Sequence, residues 1–253
     1  MKERIYLYKY RPDDLYTIKL LCEQRLHFSH PSEFNDPFDC NPPCSICFSE
    51  ETFLSSIKEL QPHLYEIAKN NSKALTASVN DDNDELKQEV QKIFNELYIC
   101  CFSYNADSPA MWAHYCNNHT GLCLGFDKNI KGSYLEPGLT KIVDYVEKKQ
   151  AIDLPNFTNE QIINAVKEKF QQWQYEEEIR IIKTPHQMII NGEWQNAFEK
   201  SALVAMFFGL RMPQERQDFY KLLCKQCGLN NVKFFKMTMP TDGTYHLIPQ
   251  EIN

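Results

Sequence analysis

A chain of 253 residues that is 43% hydrophobic and 13% aromatic can bury one large core, so disorder is not the default. A net charge of -7 and a pI near 5.6 exclude broad, sequence-independent affinity for phosphate backbones; a nucleic-acid partner would have to be recognised locally. No run approaches the roughly 18 apolar residues of a membrane span, and MKERIYLYKY lacks the basic-then-apolar pattern of a signal peptide, so the expectation is a cytoplasmic protein with no membrane partner and ten mostly reduced cysteines.

In chain order, RIYLYKYR alternates as a first strand and PDDLYTIKLLCEQ follows as a short amphipathic helix with an acidic first turn. RLHFSHPSEFNDPFD reads as a strand running into a long turn, because Asn35, Asp36 and Pro37 are strong turn residues. CNPPCSIC then sets Cys40, Cys44 and Cys47 in a C-x3-C-x2-C spacing. A radical iron–sulfur site of that spacing needs glycine-rich cofactor loops, and the eight glycines here are scattered. Cys44 and Cys47 could instead join Cys224 and Cys227 in a zinc site, but QERQDFYKLLCKQCGLN reads as a helix with Leu223, Cys224 and Cys227 on its apolar stripe and Gly228 as its cap. No metal is expected at these thiols.

From Glu50 to Leu97 the pattern is helical, broken near Pro62 and at SVNDDNDE, which suggests a helical insert at about 50–97. LYICCFSYN is a buried strand, and DSPAMWAHYCNNH a helix opened by Ser108 and Pro109. GLCLGFD and LTKIVDYVEKK read as strands, TNEQIINAVKEKFQQ as a helix capped by Thr158, and WQYEEEIRIIK as a strand. SALVAMFFGL, VKFFKMTM and TYHLIP complete the strands around the Cys224 helix. The whole points to a single α+β domain over 1–253 with a mixed or antiparallel central sheet.

G-x-G-x-x-G, G-K-[ST] and G-x-S-x-G are all missing. His114 and His119, five apart, would diverge by about 140° on a helix and do not make a zincin pair. What stands out is Glu176 and Glu178, two apart on the expected strand and so on one face of it. They are either a solvated face shared with Arg180 or a catalytic pair: cleavage of a nicotinamide–ribose bond passes through an oxocarbenium-like state that a fixed carboxylate stabilises. MWAHY offers the other candidates, with Trp112 and Tyr115 either core anchors or stacking rings and His114 their polar partner. His27 and His30 face oppositely on the expected strand. Asn35 and Asp36 could form a cleft rim. A metal-dependent nuclease would draft Asp36, Asp39 and Glu178, with no supporting spacing.

YLYKYR, LHFSHPSEFNDPFDC, CCFSYN with MWAHYCNNHTGLCLGFD, VDY and W-x-YEEEIRI, in that order, resemble the signature blocks of a bacterial family known only as domain of unknown function 2971. The resemblance runs from Leu7 to about Ile182, with a weaker match at FFGLRMP. A second resemblance is to ADP-ribosyltransferases, whose early pocket strand LHFSHPSEF is similar to and whose late glutamate strand YEEEIRI is similar to. It implies an NAD-cleaving enzyme of toxin or defence biology with NAD as substrate and a protein or nucleic acid as acceptor. Glu178 would be the catalytic carboxylate and Glu176 the acceptor-orienting group. Tyr8, Lys9, Arg11 and Ser29 would contact NAD, and Asn35, Asp36, Trp112, His114 and Tyr115 would complete the pocket. YKYR carries lysine and tyrosine where those enzymes use histidine or arginine. The alternative is a non-catalytic domain that binds a small-molecule ligand or a partner.

Overall fold

The computed structural model describes residues 6–46, 49–81, 84–127, 140–154 and 158–253. Along the chain come β1 (Tyr6–Arg11), α1 (Leu15–Glu23), β2 (Cys44–Ile46), α2 (Glu50–Leu60), α3 (Tyr65–Asn70), α4 (Ser72–Asp81), α5 (Asp84–Asn95), β3 (Tyr98–Ser103), α6 (Pro109–Tyr115), β4 (Leu122–Asp127), β5 (Thr140–Ile142), β6 (Asp144–Val146), β7 (Ile152–Leu154), α7 (Asn159–Lys167), β8 (Glu168–Phe170), β9 (Glu178–Lys183), α8 (Pro185–Met188), β10 (Ile189–Ile190), β11 (Glu193–Trp194), β12 (Leu203–Phe208), α9 (Gln214–Gln226), β13 (Lys233–Thr238) and β14 (Ile248–Ile252). Eight strands form one mixed sheet in the order β14-β13-β12-β4-β1-β3-β9-β5, in which β12 and β13 are parallel and the other pairs antiparallel. This is the expected α+β architecture. Among the described residues no helix is long and apolar enough to cross a membrane.

Strand alternation divides the core between the two faces of the sheet. Leu7, Leu122, Leu124, Phe126, Ile179, Ile181, Met206 and Phe208 pack with Leu20 and Leu21 of α1 and Tyr220 and Cys224 of α9. Their alternates Tyr10, Cys123, Ala205 and Phe207 pack with Met111 and Trp112 of α6 and with Cys116 at its C-cap. A third cluster joins Ile99 of β3 to Phe94 of α5, Val166 of α7 and Cys40. Each fully buried large side chain contributes roughly 1.5–3 kcal/mol before entropy is counted. Gly125 serves the α6 face: a Cβ there would lie 3.1 Å from Ala205 Cβ and 3.6 Å from the Tyr8 ring.

Local chemistry sets the starts of α6 and α7 and the end of α9 as the sequence indicates, while α1 starts at Leu15, so its expected acidic residues precede the first turn instead of filling it. Asp14 accepts from Thr17 N at 2.7 Å, Ser108 from Met111 N at 3.4 Å, and Thr158 and Gln161 form a capping box. Gly228, at φ +74°, ends α9, and Leu229 N closes on Cys224 O at 2.8 Å.

Five stretches depart from expectation, the first being LTKIVDYVEKK, which splits at Val143 into β5 in the main sheet and β6 beside β8. RLHFSH makes only two isolated bridges, Arg25 to Ala197 and Ser29 to Ile99, because Pro31 lacks an N–H and starts a 3-10 turn. The helix expected through Gln172 stops at Lys167, since Glu168–Phe170 pairs with β6 instead. WQYEEEIRIIK is not one strand: Gln171–Glu176 is a 3-10 turn, Glu177 is left-handed at φ 43°, and β9 starts at Glu178. At the C-terminus the partner of β13 is Ile248–Ile252, because Asp242 turns the chain by accepting from Thr244 N.

Candidate functional site

Strands β1 and β3 are neighbours, yet they pair at one position only, Tyr8 with Ser103, whereas β1 pairs with β4 along its whole length. Lys9 crosses the gap and donates to Cys101 O at 3.0 Å. Beside it lies a cavity of about 310 Å³. Its walls are Tyr8 to Arg11 of β1, Cys101 to Ser103 of β3, Met111 and Tyr115 of α6, and Glu33, Phe34, Asn35 and Asp39 of the early turn; Lys169, Glu176 and Glu178 complete the lining. The site therefore sits on the α6 face of the sheet, between two apolar clusters.

Buried charges form one side of it. Arg180, with no solvent exposure, donates from Nε to Glu178 at 2.8 Å, from Nη1 to Asp39 at 2.9 Å and Val166 O at 2.6 Å, and from Nη2 to Asp39 at 2.6 Å and Glu178 at 3.0 Å. That accounts for all five guanidinium donors. Lys169 Nζ donates to Glu178 at 2.9 Å and to Glu176, stands 3.6 Å from Asp39, and lies 5.2 Å from the centre of the Trp173 ring. Tyr115 donates its hydroxyl to Glu176 Oε1 at 2.5 Å, and Asn35 hydrogen-bonds the same phenol.

The two glutamates meet through a turn and not through strand period. Ser103 Oγ donates to Glu176 O at 2.6 Å, Tyr104 N to Glu177 O at 3.0 Å, and Glu178 N to the Tyr145 hydroxyl at 2.7 Å. These bonds pin the left-handed Glu177 and bring both neighbouring carboxylates to Lys169.

Their ionisation differs. Burial raises the Glu178 pKa, but Arg180 and then Lys169 outweigh it and hold the carboxylate well below the ordinary range. For Glu176 burial wins: it lies above the ordinary glutamate value despite Lys169, with Glu178 adding to the rise. Burial and the Glu176 charge push the Tyr115 phenol up as well, so it stays a donor. Lone pairs sharpen the contrast. Glu178 accepts three bonds from Arg180 and Lys169 and a fourth from Cys101, filling the roughly four sites of a carboxylate, whereas Glu176 has two partners.

Of the residues singled out in the sequence, Tyr8, Lys9, Arg11, Asn35, Tyr115, Glu176 and Glu178 line this cavity. Ser29, Asp36, Trp112 and His114 do not. The Ser29 backbone bridges Ile99, and Asp36 accepts from Phe38 N within its own turn. Trp112 is fully buried and donates to Ala106 O at 2.8 Å, which makes it a core anchor. His114 is exposed beside Tyr175 and Trp173. The solvated-face alternative for Glu176, Glu178 and Arg180 is overturned, because all three are buried. Sequence reasoning missed Lys169, which lay within the helix expected after Thr158, and the pairing of Asp39 with Arg180. Among the described residues no group of three or more His, Cys, Asp or Glu is placed to hold a metal ion; Cys47 lies outside them.

Residues 111–181 match the family model described as "Protein of unknown function (DUF2971)". That stretch is similar to DUF2971 and covers less than half of the chain. That region supplies Met111, Tyr115, Lys169, Glu176, Glu178 and Arg180, while β1 and the turn bearing Asn35 and Asp39 lie ahead of it. The resemblance to DUF2971 noted in the sequence is thus matched over its later part. No curated protein and no solved structure matches the chain.

Proposed function

We propose that the cavity beside β1 and β3 is an enzyme site for a small polar ligand and that Glu176 is its acid–base group. One observation carries this reading: Glu176 faces the cavity with two hydrogen-bond partners and a raised pKa, whereas Glu178 beside it accepts four bonds and is held low. Asp39 and Glu178 are balanced by Arg180 and Lys169 together and serve to hold Lys169 and the turn in place. For substrate, we propose NAD. A carboxylate with free lone pairs beside a fixed anion suits a bond whose breakage leaves positive charge on ribose. The cavity shares Arg11 and Glu33 with a second hollow of about 610 Å³ along α1, lined also by Lys19, Arg25 and His27. A two-part ligand could therefore place its reacting end near Glu176 and its phosphates toward Arg11 and Lys19.

The test is nicotinamide release from NAD by the purified protein, alone and with cell lysate as a source of acceptors. Release that disappears in Glu176→Gln, with the thermal unfolding curve intact, supports the assignment. Unchanged release in that variant removes Glu176 from the mechanism. The rival, a non-catalytic ligand site, is favoured by the near-complete burial of Glu176 and Glu178; it predicts a thermal shift with NAD and no release.

A further inference from the structure

Two cysteines far apart in sequence meet where α1 packs against α9. Cys22, in the last turn of α1, and Cys227, at the C-cap of α9, have their Sγ atoms 3.8 Å apart across 205 residues of chain. Cys22 is exposed and Cys227 half-buried, so a small oxidant can reach the pair. Cys224, one turn earlier on α9, is buried in the core. The start of α1 is already held to α9: Asp13 accepts from Arg216 Nε at 2.7 Å and from the Tyr220 hydroxyl at 2.7 Å. The thiols stand at the other end of the same helix contact. Lys200 also belongs to this corner, since its Nζ would lie 3.0 Å from a Cβ built on Gly228, and its charge favours a Cys227 thiolate against the burial that keeps the thiol protonated.

We propose that Cys22 and Cys227 form a reversible oxidation site that closes to a disulfide when the protein meets a peroxide. One thiolate attacks a peroxide oxygen, breaking the O–O bond to give a sulfenic acid and a hydroxide. The second thiolate attacks the sulfenic sulfur, forming S–S and releasing the oxygen as a second hydroxide. With the two thiol protons the balance is two thiols and one hydrogen peroxide to one disulfide and two waters. Sulfur atoms in van der Waals contact need only a rotamer change and a small helix shift to reach bonding distance. The product would fasten α1 to α9 at both ends and, through α1, restrain the end of β1 where Arg11 lines the cavity. This proposal is independent of the NAD reading.

The experiment treats the full-length protein with stoichiometric hydrogen peroxide, blocks remaining thiols, and maps peptides without reduction. The expected result is a monomer containing a Cys22–Cys227 linked peptide that dithiothreitol removes, with the melting temperature raised by several degrees because the crosslink closes a long loop. Cys22→Ser and Cys227→Ser, at exposed and half-buried sites, should fold normally and show neither the linked peptide nor the rise. Recovery of Cys22 and Cys227 as alkylated thiols, as sulfinic acids, or in disulfides between molecules would overturn the proposal. So would an equal rise in melting temperature in either serine variant.

Discussion

Arg180 and Glu178 illustrate how much one side chain can depend on another. A buried guanidinium with all five donors matched is tolerated only while its acceptors remain, and removing a partner strands a charge at a cost of about 3–5 kcal/mol. Arg180→Ala should lower stability by that amount, measured by urea unfolding, because Asp39 and Glu178 would be left to Lys169 alone. Glu178 is depressed, so its contribution is complete above the ordinary glutamate value and is lost as pH falls toward its folded pKa. Glu176 has the opposite sign. Its raised pKa means the folded chain holds a proton that the unfolded chain has released, so its contribution is complete below about 4.5 and is lost as pH rises through the folded value. Replacing it by an amide removes that loss. The stability of Glu176→Gln relative to the natural protein should therefore improve as pH is raised above 4.5, and a parallel pair of stability curves across that range would refute the raised pKa. If Glu176 acts as the base for catalysis, nicotinamide release should climb over the same window.

The link between α6 and β4 shows why elements were easier to read than their joins. Ser108 and Pro109 announce α6 in the sequence, and the structure starts the helix there. Nothing in the pattern announces that Asn117, Asn118 and His119 all take left-handed φ values of 46°, 54° and 70°, although asparagine is among the residues that accept them. That loop returns the chain so tightly that Gly121 passes against β1: a Cβ on it would lie 2.3 Å from Arg11 O and 2.9 Å from Cys116 Cα. Both obstacles are backbone and cannot rotate away. Gly121→Ala should destabilise the protein by about 1–3 kcal/mol through overpacking and should also displace Arg11, seen as weaker ligand binding in calorimetry beyond what the stability loss explains. The apolar pattern revealed β1, β3, β4, β12 and β13, although β4 and β12 are buried on both faces and so do not alternate. It could not reveal where β9 begins, because the Glu177 turn is set by Ser103, Tyr104 and Tyr145 from distant parts of the chain.

Across the molecule, the cavity draws its lining from the first 40 residues, from β3 and from the DUF2971 region, which explains what was legible of the site. Residue types that can do chemistry were visible in YKYR, FND, MWAHY and YEEE. Their convergence was not, since it depends on the splayed β1 and β3 pair and on Lys169 leaving a helix for a strand. The same architecture distributes stability unevenly. β4 and β12 lie in the middle of the sheet with buried side chains on both faces. By contrast α2, α3 and α4 bury, among their described side chains, only Ala68 and Thr76, and the first firm anchors of this helical stretch are Val90 and Phe94 of α5. Helices with so little burial open locally, because little apolar surface opposes the entropy gained. Native-state hydrogen exchange in low urea should therefore find α2 to α4 amides exchanging at rates that hardly depend on denaturant, while β4 and β12 amides exchange only through global unfolding and steepen with urea. Protection of α2 to α4 equal to that of β4 would mean that the helices are part of the cooperative core despite their exposed surfaces.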